Sequence, residues 1–366
     1  MSFSRRALLS VDWRLLAAAA GLAALGVLII YSTSGMHASL LRRSLYLKQA
    51  TWMVIGLFAM ALLCLFPYRT TWHIAYLFYG VLLVALLLVA LLGRTGMGAQ
   101  RWLSIGSFAI QPSEFMKLSL ILLLARYFED RREQLNAPRV FIVPILLTLL
   151  PTALVLRQPD LGTAIMLLLI SASILIMMGL KIRWFVLLGA VGSAITPVLW
   201  HYLHDYQKNR ILVFLYPDMD PMGAGYHVAQ SKIAVGSGGL IGKGWMAATQ
   251  SQLNFLPENH TDFVFAGLAE QGGFFGSLCL LLVYAYLLSR GLRLARDAHD
   301  LFTMVTSFGI VSMIAWQVVI NIGMVTGIMP VVGIPLPLLS YGGSSMLMNM
   351  LAIGLLLNIQ KSRYQY

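Results

Sequence analysis

HIAYLFYGVLLVALLLVALLG, residues 73–93, runs for 21 positions without an Asp, Glu, Lys or Arg. A helix of roughly 20 such residues crosses a bilayer core of about 30 Å, so the stretch reads as a membrane span. Comparable runs begin near Leu15, Leu47, Ser113, Val140, Gly162, Trp184, Asp262, Leu301 and Ser340, which makes about ten spans in all. Of the 366 residues, 59% are hydrophobic and 11% charged, whereas a soluble globule carries about 25% charged residues. The sequence therefore predicts an all-α polytopic membrane protein, one integral membrane domain over residues 1–366. Short hairpins join its spans, and no internal repeat is visible.

Lys and Arg set the expected orientation. With a cytoplasmic N-terminus, the inner segments hold Arg5, Arg6, Arg14, Arg69, Arg126, Arg131, Arg132, Arg139, Lys181, Arg183, Arg290, Arg293, Arg296, Lys361 and Arg363. That is a positive-inside pattern, and an even number of spans puts both termini inside. The net charge of +12 is then mainly a signature of topology and anionic lipid. Nucleic-acid binding would need a basic soluble face, which is missing. Cys64 and Cys279 fall in spans, where a thiol acts as a small apolar group.

Two motifs mislead. SRRALLS (4–10) imitates a twin-arginine export signal, but the spans that follow make an uncleaved first helix the better reading. GSGGLIGKG (236–244) imitates a phosphate-binding loop, yet Ser237 stands in place of its first Gly and Gly244 in place of its Ser or Thr.

The longest segment between spans, about residues 201–261, is placed on the outer face between spans 7 and 8. Loops of that length are usually functional, and its apolar stretches suggest interfacial helices and re-entrant turns. Asp12, Glu129, Asp130, Glu133, Asp297 and Asp300 belong to inner ends; Glu114, Asp160, Asp205, Asp218, Asp220, Glu258, Asp262 and Glu270 lie at or just below the outer face. Chemistry is therefore expected outside.

Ionisable groups within spans are functional candidates by default. Glu114 and Lys117 stand three residues apart on one helix face and can pair. Asp160 reads as a helix cap or a ligand group, Arg101 as an interfacial anchor beside Trp102 or a phosphate contact, and Gln230, Ser231 and Lys232 as a polar helix face or part of a site. Pro330, Pro335 and Pro337 followed by SYGGSS either form a turn with Ser340 as cap or expose backbone N–H groups to an anion. Asp262 is a first-turn acid or a general base, and Glu270, deeper, a structural hydrogen-bonding group or a support to it. His260 has no third ligand nearby, so no metal site is expected from it.

Two functions fit these residues. One is an enzyme acting on a lipid-linked substrate at the outer leaflet, with a carboxylate base and cations on phosphate. The other is a transporter coupling through Glu114, Lys117 and Glu270, against which the polar residues crowd one face instead of the midplane.

AQRWLSIGSFAIQPSEFMKL (99–118), QPDLGTA (158–164), HDYQKNRI (204–211), DPMGAGYHVAQSKIAVGSGGLIGKGW (220–245), TQSQLNFLPENHTDFVFAGLAE (249–270) and NIGMVTGIMPVVGIPLPLLSYGGSS (321–345) closely resemble the SEDS family of shape, elongation, division and sporulation proteins. The last of these and HDYQKNR resemble its RodA-type elongation branch more than its septal, FtsW-type branch. The resemblance implies about ten spans and a peptidoglycan glycosyltransferase that polymerises lipid II on the outer face of the bacterial inner membrane. It also implies a class B penicillin-binding protein, a transpeptidase, as partner, among other elongation-complex membrane proteins. A lipid II flippase is the alternative. The family's essential acid maps onto Asp262 and its buried pair onto Glu114 and Lys117; where the family commonly reads AEE, this chain has Ala269, Glu270 and Gln271.

Such a transfer needs one base for a sugar hydroxyl, because the pyrophosphate departs already anionic. Arg101, Lys117, Arg210, Lys232 and Lys243 are candidates to hold it. No cofactor is required beyond a divalent cation, Mg2+ or Mn2+, that could assist. At a helix start Asp262 would be kept ionised by the dipole, an effect that desolvation by Phe263 and Phe265 opposes.

Overall fold

The computed structural model describes residues 12–33, 44–92, 94–96, 99–105, 108–135, 137–184, 186, 208, 212, 224–252 and 260–362. The protein is helical: α1 (Trp13–Thr33), α2 (Leu45–Leu63), α3 (Tyr68–Leu92), α4 (Pro112–Asp130), α5 (Ile142–Arg157), α6 (Leu161–Met177), α7 (Ala224–Ser237), α8 (Val264–Arg296), α9 (Leu301–Val325) and α10 (Gly343–Ser362). Among the described residues, seven helices are long and apolar enough to cross a membrane: α1, α2, α3, α5 with its preceding turn, α8, α9 and α10. The 17-residue α6 is apolar but shorter, and α4 is diluted by Glu114, Lys117, Arg126, Glu129 and Asp130. These nine coincide with nine of the expected spans. The span expected from Trp184 lies, beyond its start, outside the described residues.

The least apolar of the nine is also among the most buried. Packed against α3, α6, α9 and α10, α4 buries residues on every face, as a helix surrounded by others must. By contrast α2, α3 and the lower half of α8 turn Phe58, Leu77, Leu91 and Leu282 outward, the apolar belt that lipid covers.

Hydrogen bonds bring the starts of α2, α4, α6, α8 and α10 to one end of the bundle: Gln49 to Ser340, Gln111 to Asp160 and Ser344, and Ser340 to Thr261. At the other end acids serve as caps and ties. Asp12 accepts the Leu15 N–H at 3.1 Å and pairs with Arg290, Asp300 caps α9 through the Thr303 N–H at 2.6 Å, and Glu129 accepts the Phe302 N–H at 3.0 Å. These acids tie the chain together at the end of the bundle away from Asp262.

Three short strands add to the helical fold: β1 (Arg94–Gly96), β2 (Ala99–Ile105) and β3 (Phe108–Ile110) form an antiparallel meander between α3 and α4. It lies where the sequence suggested an interfacial anchor or a phosphate contact at Arg101, and no strand. Trp102, Ile105, Phe108 and Ile110, with glycines close by in the sequence, suit short pleated strands, a signal hidden beside long apolar runs.

Candidate active site

Between α9 and α10 the chain stays inside the bundle. Val332, Ile334, Leu336, Leu338 and Leu339 are all buried although no helix or strand contains them. Irregular backbone so placed must find a partner for each N–H and C=O. Pro330, Pro335 and Pro337 reduce the demand by lacking an N–H. Side chains from three helices and from the loop's own Ser340 meet part of the rest. The Asn321 amide donates to the Ile334 carbonyl at 2.8 Å, the Tyr284 hydroxyl to Pro337 at 2.6 Å and the Gln49 amide to Ser340 at 3.0 Å; the Ser340 hydroxyl accepts the Leu336 N–H at 2.8 Å. Ser340 is thus a brace of this loop and not the cap of α10, which starts at Gly343.

The same side chains fix Asp262. Asn321 also donates to the Asp262 carbonyl at 2.9 Å, Ser340 donates to Thr261 at 2.6 Å, and the Tyr341 N–H donates to His260 at 2.8 Å. The His260 and Tyr341 rings meet edge to face at 5.7 Å. Burial holds the Tyr341 phenol above its ordinary pKa, so it stays a neutral hydroxyl at working pH. The carboxylate of Asp262 rests by Gly333, where an added Cβ would lie 3.5 Å from Oδ2. Phe263 is the N-cap residue of α8 and Asp262 precedes it, so the helix-cap reading of Asp262 does not hold. Phe263 and Phe265 are buried and Asp262 is half-buried.

Replacing Asn321 by Leu is expected to leave the Ile334 and Asp262 carbonyls without their donor. Each orphaned acceptor costs about 1–3 kcal/mol, visible as a lower thermal unfolding midpoint in detergent. An unchanged midpoint would mean that the loop does not depend on this amide.

Beside this loop the starts of α4, α6 and α10 converge. Glu114 and Lys117 pair at 2.8 Å with side chains 6% and 1% exposed, as their spacing predicts. Asp160 does cap α6, accepting the Thr163 N–H at 3.2 Å and its hydroxyl at 2.9 Å, and also takes the Gln111 amide at 3.1 Å. The Gln111 N–H in turn donates to the Ser344 hydroxyl at 3.0 Å. From β2 the Arg101 guanidinium donates to the Pro159 carbonyl, next to Asp160. Three positive helix ends and the Arg101 guanidinium therefore stand on one side of the Asp262 loop, while Lys117 is balanced by Glu114 and the α6 end by Asp160; the helix ends are what favours an anion there.

Glu270 and Lys243 form a third group. Buried Glu270 accepts from Lys243 at 2.7 Å and from the Thr249 hydroxyl and Gln250 N–H at 3.1 Å each. The residues that imitate a phosphate-binding loop wrap a break in α8 at Gly273, whose φ of 61° and ψ of −157° suit glycine alone. Phe274 and Phe275 donate their N–H groups to Gly239 and Leu240 at 2.9 and 3.1 Å, while Lys243 and Gly244 donate to Glu270 and Gln271 at 2.9 and 3.1 Å. The glycines serve this backbone approach: a Cβ on Gly242 would overlap the Gln271 carbonyl. Lys232, on α7, is exposed and lies against Gly327 at the end of α9, and its neighbour Ser231 donates to Val325 at 2.9 Å.

Arg210 and Glu258 lie outside the described residues. Among the described residues no three His, Cys, Asp or Glu side chains form a group that could hold a metal. Sequence reasoning missed Gln49, Gln111, Tyr284 and Asn321. Gln49 and Asn321 are fully buried amides, and neutral polar residues inside apolar spans were the available signal.

The profile of the FtsW, RodA and SpoVE family, described as cell cycle proteins, matches residues 12–365. The chain is 42% identical over 337 residues to the peptidoglycan glycosyltransferase MrdB of Escherichia coli strain K12, covering 92% of this chain and 90% of that one. It resembles a chain in a solved peptidoglycan synthase complex, described as coordinating polymerization and crosslinking, with a TM-score of 0.83 and 33% identity over 97% of this chain and 99% of that one. It also resembles the crystal structure of the rod shape determining protein RodA of Thermus thermophilus, with a TM-score of 0.72 and 31% identity over 97% of this chain and 98% of that one.

Proposed function

Because the chain belongs to the FtsW, RodA and SpoVE family of cell cycle proteins and is a multi-pass peptidoglycan glycosyltransferase, we propose that it polymerises lipid II at the Asp262 end of the bundle with Asp262 as general base. One observation carries the assignment. Of the described acids at that end, Glu114 is buried against Lys117, Asp160 is buried as a cap and Glu270 is buried against Lys243; Asp262 alone is only partly buried. A sugar hydroxyl entering from outside meets this carboxylate first.

The acceptor's 4-hydroxyl attacks the anomeric carbon of the donor, its proton passes to Asp262, and the bond from that carbon to the pyrophosphate breaks. The pyrophosphate leaves as an anion toward the starts of α4, α6 and α10, with Arg101 and Lys117 on the same side. Inversion gives a β-1,4 link. Arg210, Lys232 and Lys243 are further candidates for phosphate contact, although Lys243 already neutralises Glu270. The reading places the Asp262 end outside the cytoplasmic membrane and both termini in the cytoplasm, during elongation of the cell.

The proposed partner is a class B penicillin-binding protein, a single-span transpeptidase, with other elongation-complex membrane proteins around it. A chain built almost wholly of spans has little soluble surface for control, so control is expected through helix contacts and the outer loop. Purified protein in liposomes with labelled lipid II should make polymer, and faster with the partner present. Full activity alone, unchanged by the partner, would contradict the partnership; transbilayer movement of lipid II without polymer would favour a flippase.

A further inference from the structure

Asp262 is carried at the end of a short helical arm. The non-helical backbone of Gly273 parts residues 264–272 from the rest of α8. Gly273 comes eleven positions after Asp262, so the arm is a lever of about 16 Å at 1.5 Å per residue. One segment of chain grips α8 on both sides of the break. Beyond it, Phe274 and Phe275 donate their N–H groups to Gly239 and Leu240; before it, the Glu270 and Gln271 carbonyls accept from Lys243 and Gly244.

The Glu270 side chain extends that grip. Its Oε1 accepts from Lys243 Nζ at 2.7 Å and from the Thr249 hydroxyl and the Gln250 N–H at 3.1 Å each, and Lys243 Nζ also donates to the Thr249 hydroxyl at 2.9 Å. Lys, Thr and Glu thus close a triangle. Glu270 is fully buried, next to buried Leu268 and Ala269. Stability alone does not account for a carboxylate there, because an apolar side chain often packs in such a place at least as well as a buried ion pair. What charge-assisted bonds add to packing is direction.

We propose that Glu270 and Lys243 are positioning residues, a clasp that sets the angle of the arm and with it the place of the Asp262 carboxylate. Their role rests on the reading of Asp262 as general base. On a lever of this length a tilt of about 4° at Gly273 displaces Asp262 by about 1 Å, and a misplacement of that size costs on the order of a hundredfold in rate. The bonds to the carbonyls of residues 260–262 hold the far end of the arm. The clasp is the second point that fixes its direction. Lys243, a candidate phosphate contact by charge, then acts on the reaction through Glu270 and not on the substrate.

The test is steady-state polymerisation of lipid II by the full chain in liposomes, with the thermal midpoint of each variant recorded beside kcat and KM. Lys243→Met strands the buried carboxylate, and should lower kcat by about tenfold or more while KM stays within about twofold. Adding Glu270→Gln removes the stranded charge and leaves an amide oxygen for Thr249 and Gln250, so kcat should return to within about threefold of the wild type. Glu270→Asp keeps the charge but shortens its reach by one carbon, about 1.5 Å; kcat should fall with KM and midpoint near those of the wild type. That variant carries the test if Lys243→Met does not fold. A raised KM in Lys243→Met that Glu270→Gln does not rescue would put Lys243 on the phosphate and overturn the proposal. So would a wild-type kcat in Glu270→Asp, or a loss in Lys243→Met confined to the midpoint, the mark of a purely structural tie. Asp262→Asn is scored alongside. If it is inactive while the clasp variants keep the wild-type kcat, the base stands and the clasp alone falls; if it polymerises at the normal rate, the base assignment falls and the clasp with it.

Discussion

Asp262→Asn is expected to fold, reach the membrane and bind its partner while polymerisation falls by a factor on the order of a hundred or more, the usual loss on removing a general base. The substitution preserves shape, and three contacts that hold this stretch are made by its backbone carbonyls. Asn321 holds the Asp262 carbonyl, Ser340 the Thr261 carbonyl and Tyr341 the His260 carbonyl. None depends on the carboxylate. A loss of activity with an unchanged thermal midpoint therefore separates proton transfer from structure. Asn321→Leu supplies the contrast, since it should lower stability and activity together. If Asp262→Asn polymerises lipid II at nearly the normal rate, or fails only because it does not fold, the general-base assignment is wrong.

How much of this was legible depended on how local each signal is. Nine spans could be read because each is a continuous apolar run, and the Glu114–Lys117 pair because both partners sit within one helical turn. The break in α8 could not be read in that way. Gly272 and Gly273 interrupt an apolar run only slightly, and the groups that repair the break come from residues 239–244, some thirty positions earlier. Judged by spacing alone, those glycines imitate a phosphate-binding loop; the fold shows that they let one backbone approach another. The loop after α9 was recognised as special through its prolines, but its braces Gln49, Tyr284 and Asn321 come from α2, α8 and α9. They carry no charge, so weighing ionisable groups passed over them. Asp262 itself resembled a helix cap until the tertiary structure placed Phe263 in that position.

Neutralising either Glu114 or Lys117 alone is expected to cost about 3–5 kcal/mol, because it strands a buried charge. Their side chains are 6% and 1% exposed, and the pair lies one to two turns into α4, which has other helices on every face. Glu114 Oε2 has no further partner, so Lys117 is its principal compensation. Glu114→Gln with Lys117→Met removes both charges at nearly constant volume and should recover most of the stability, giving a strongly non-additive double-mutant cycle. Stability and activity should then separate. The positive end of α4 remains in the double variant, but the cation beneath the proposed pyrophosphate site is gone, so the thermal midpoint should return while polymerisation stays low. Additive losses would show that the two charges are not coupled. Full recovery of polymerisation would reduce Lys117 to a counter-ion of Glu114, leaving Arg101 and the helix starts to hold the departing anion.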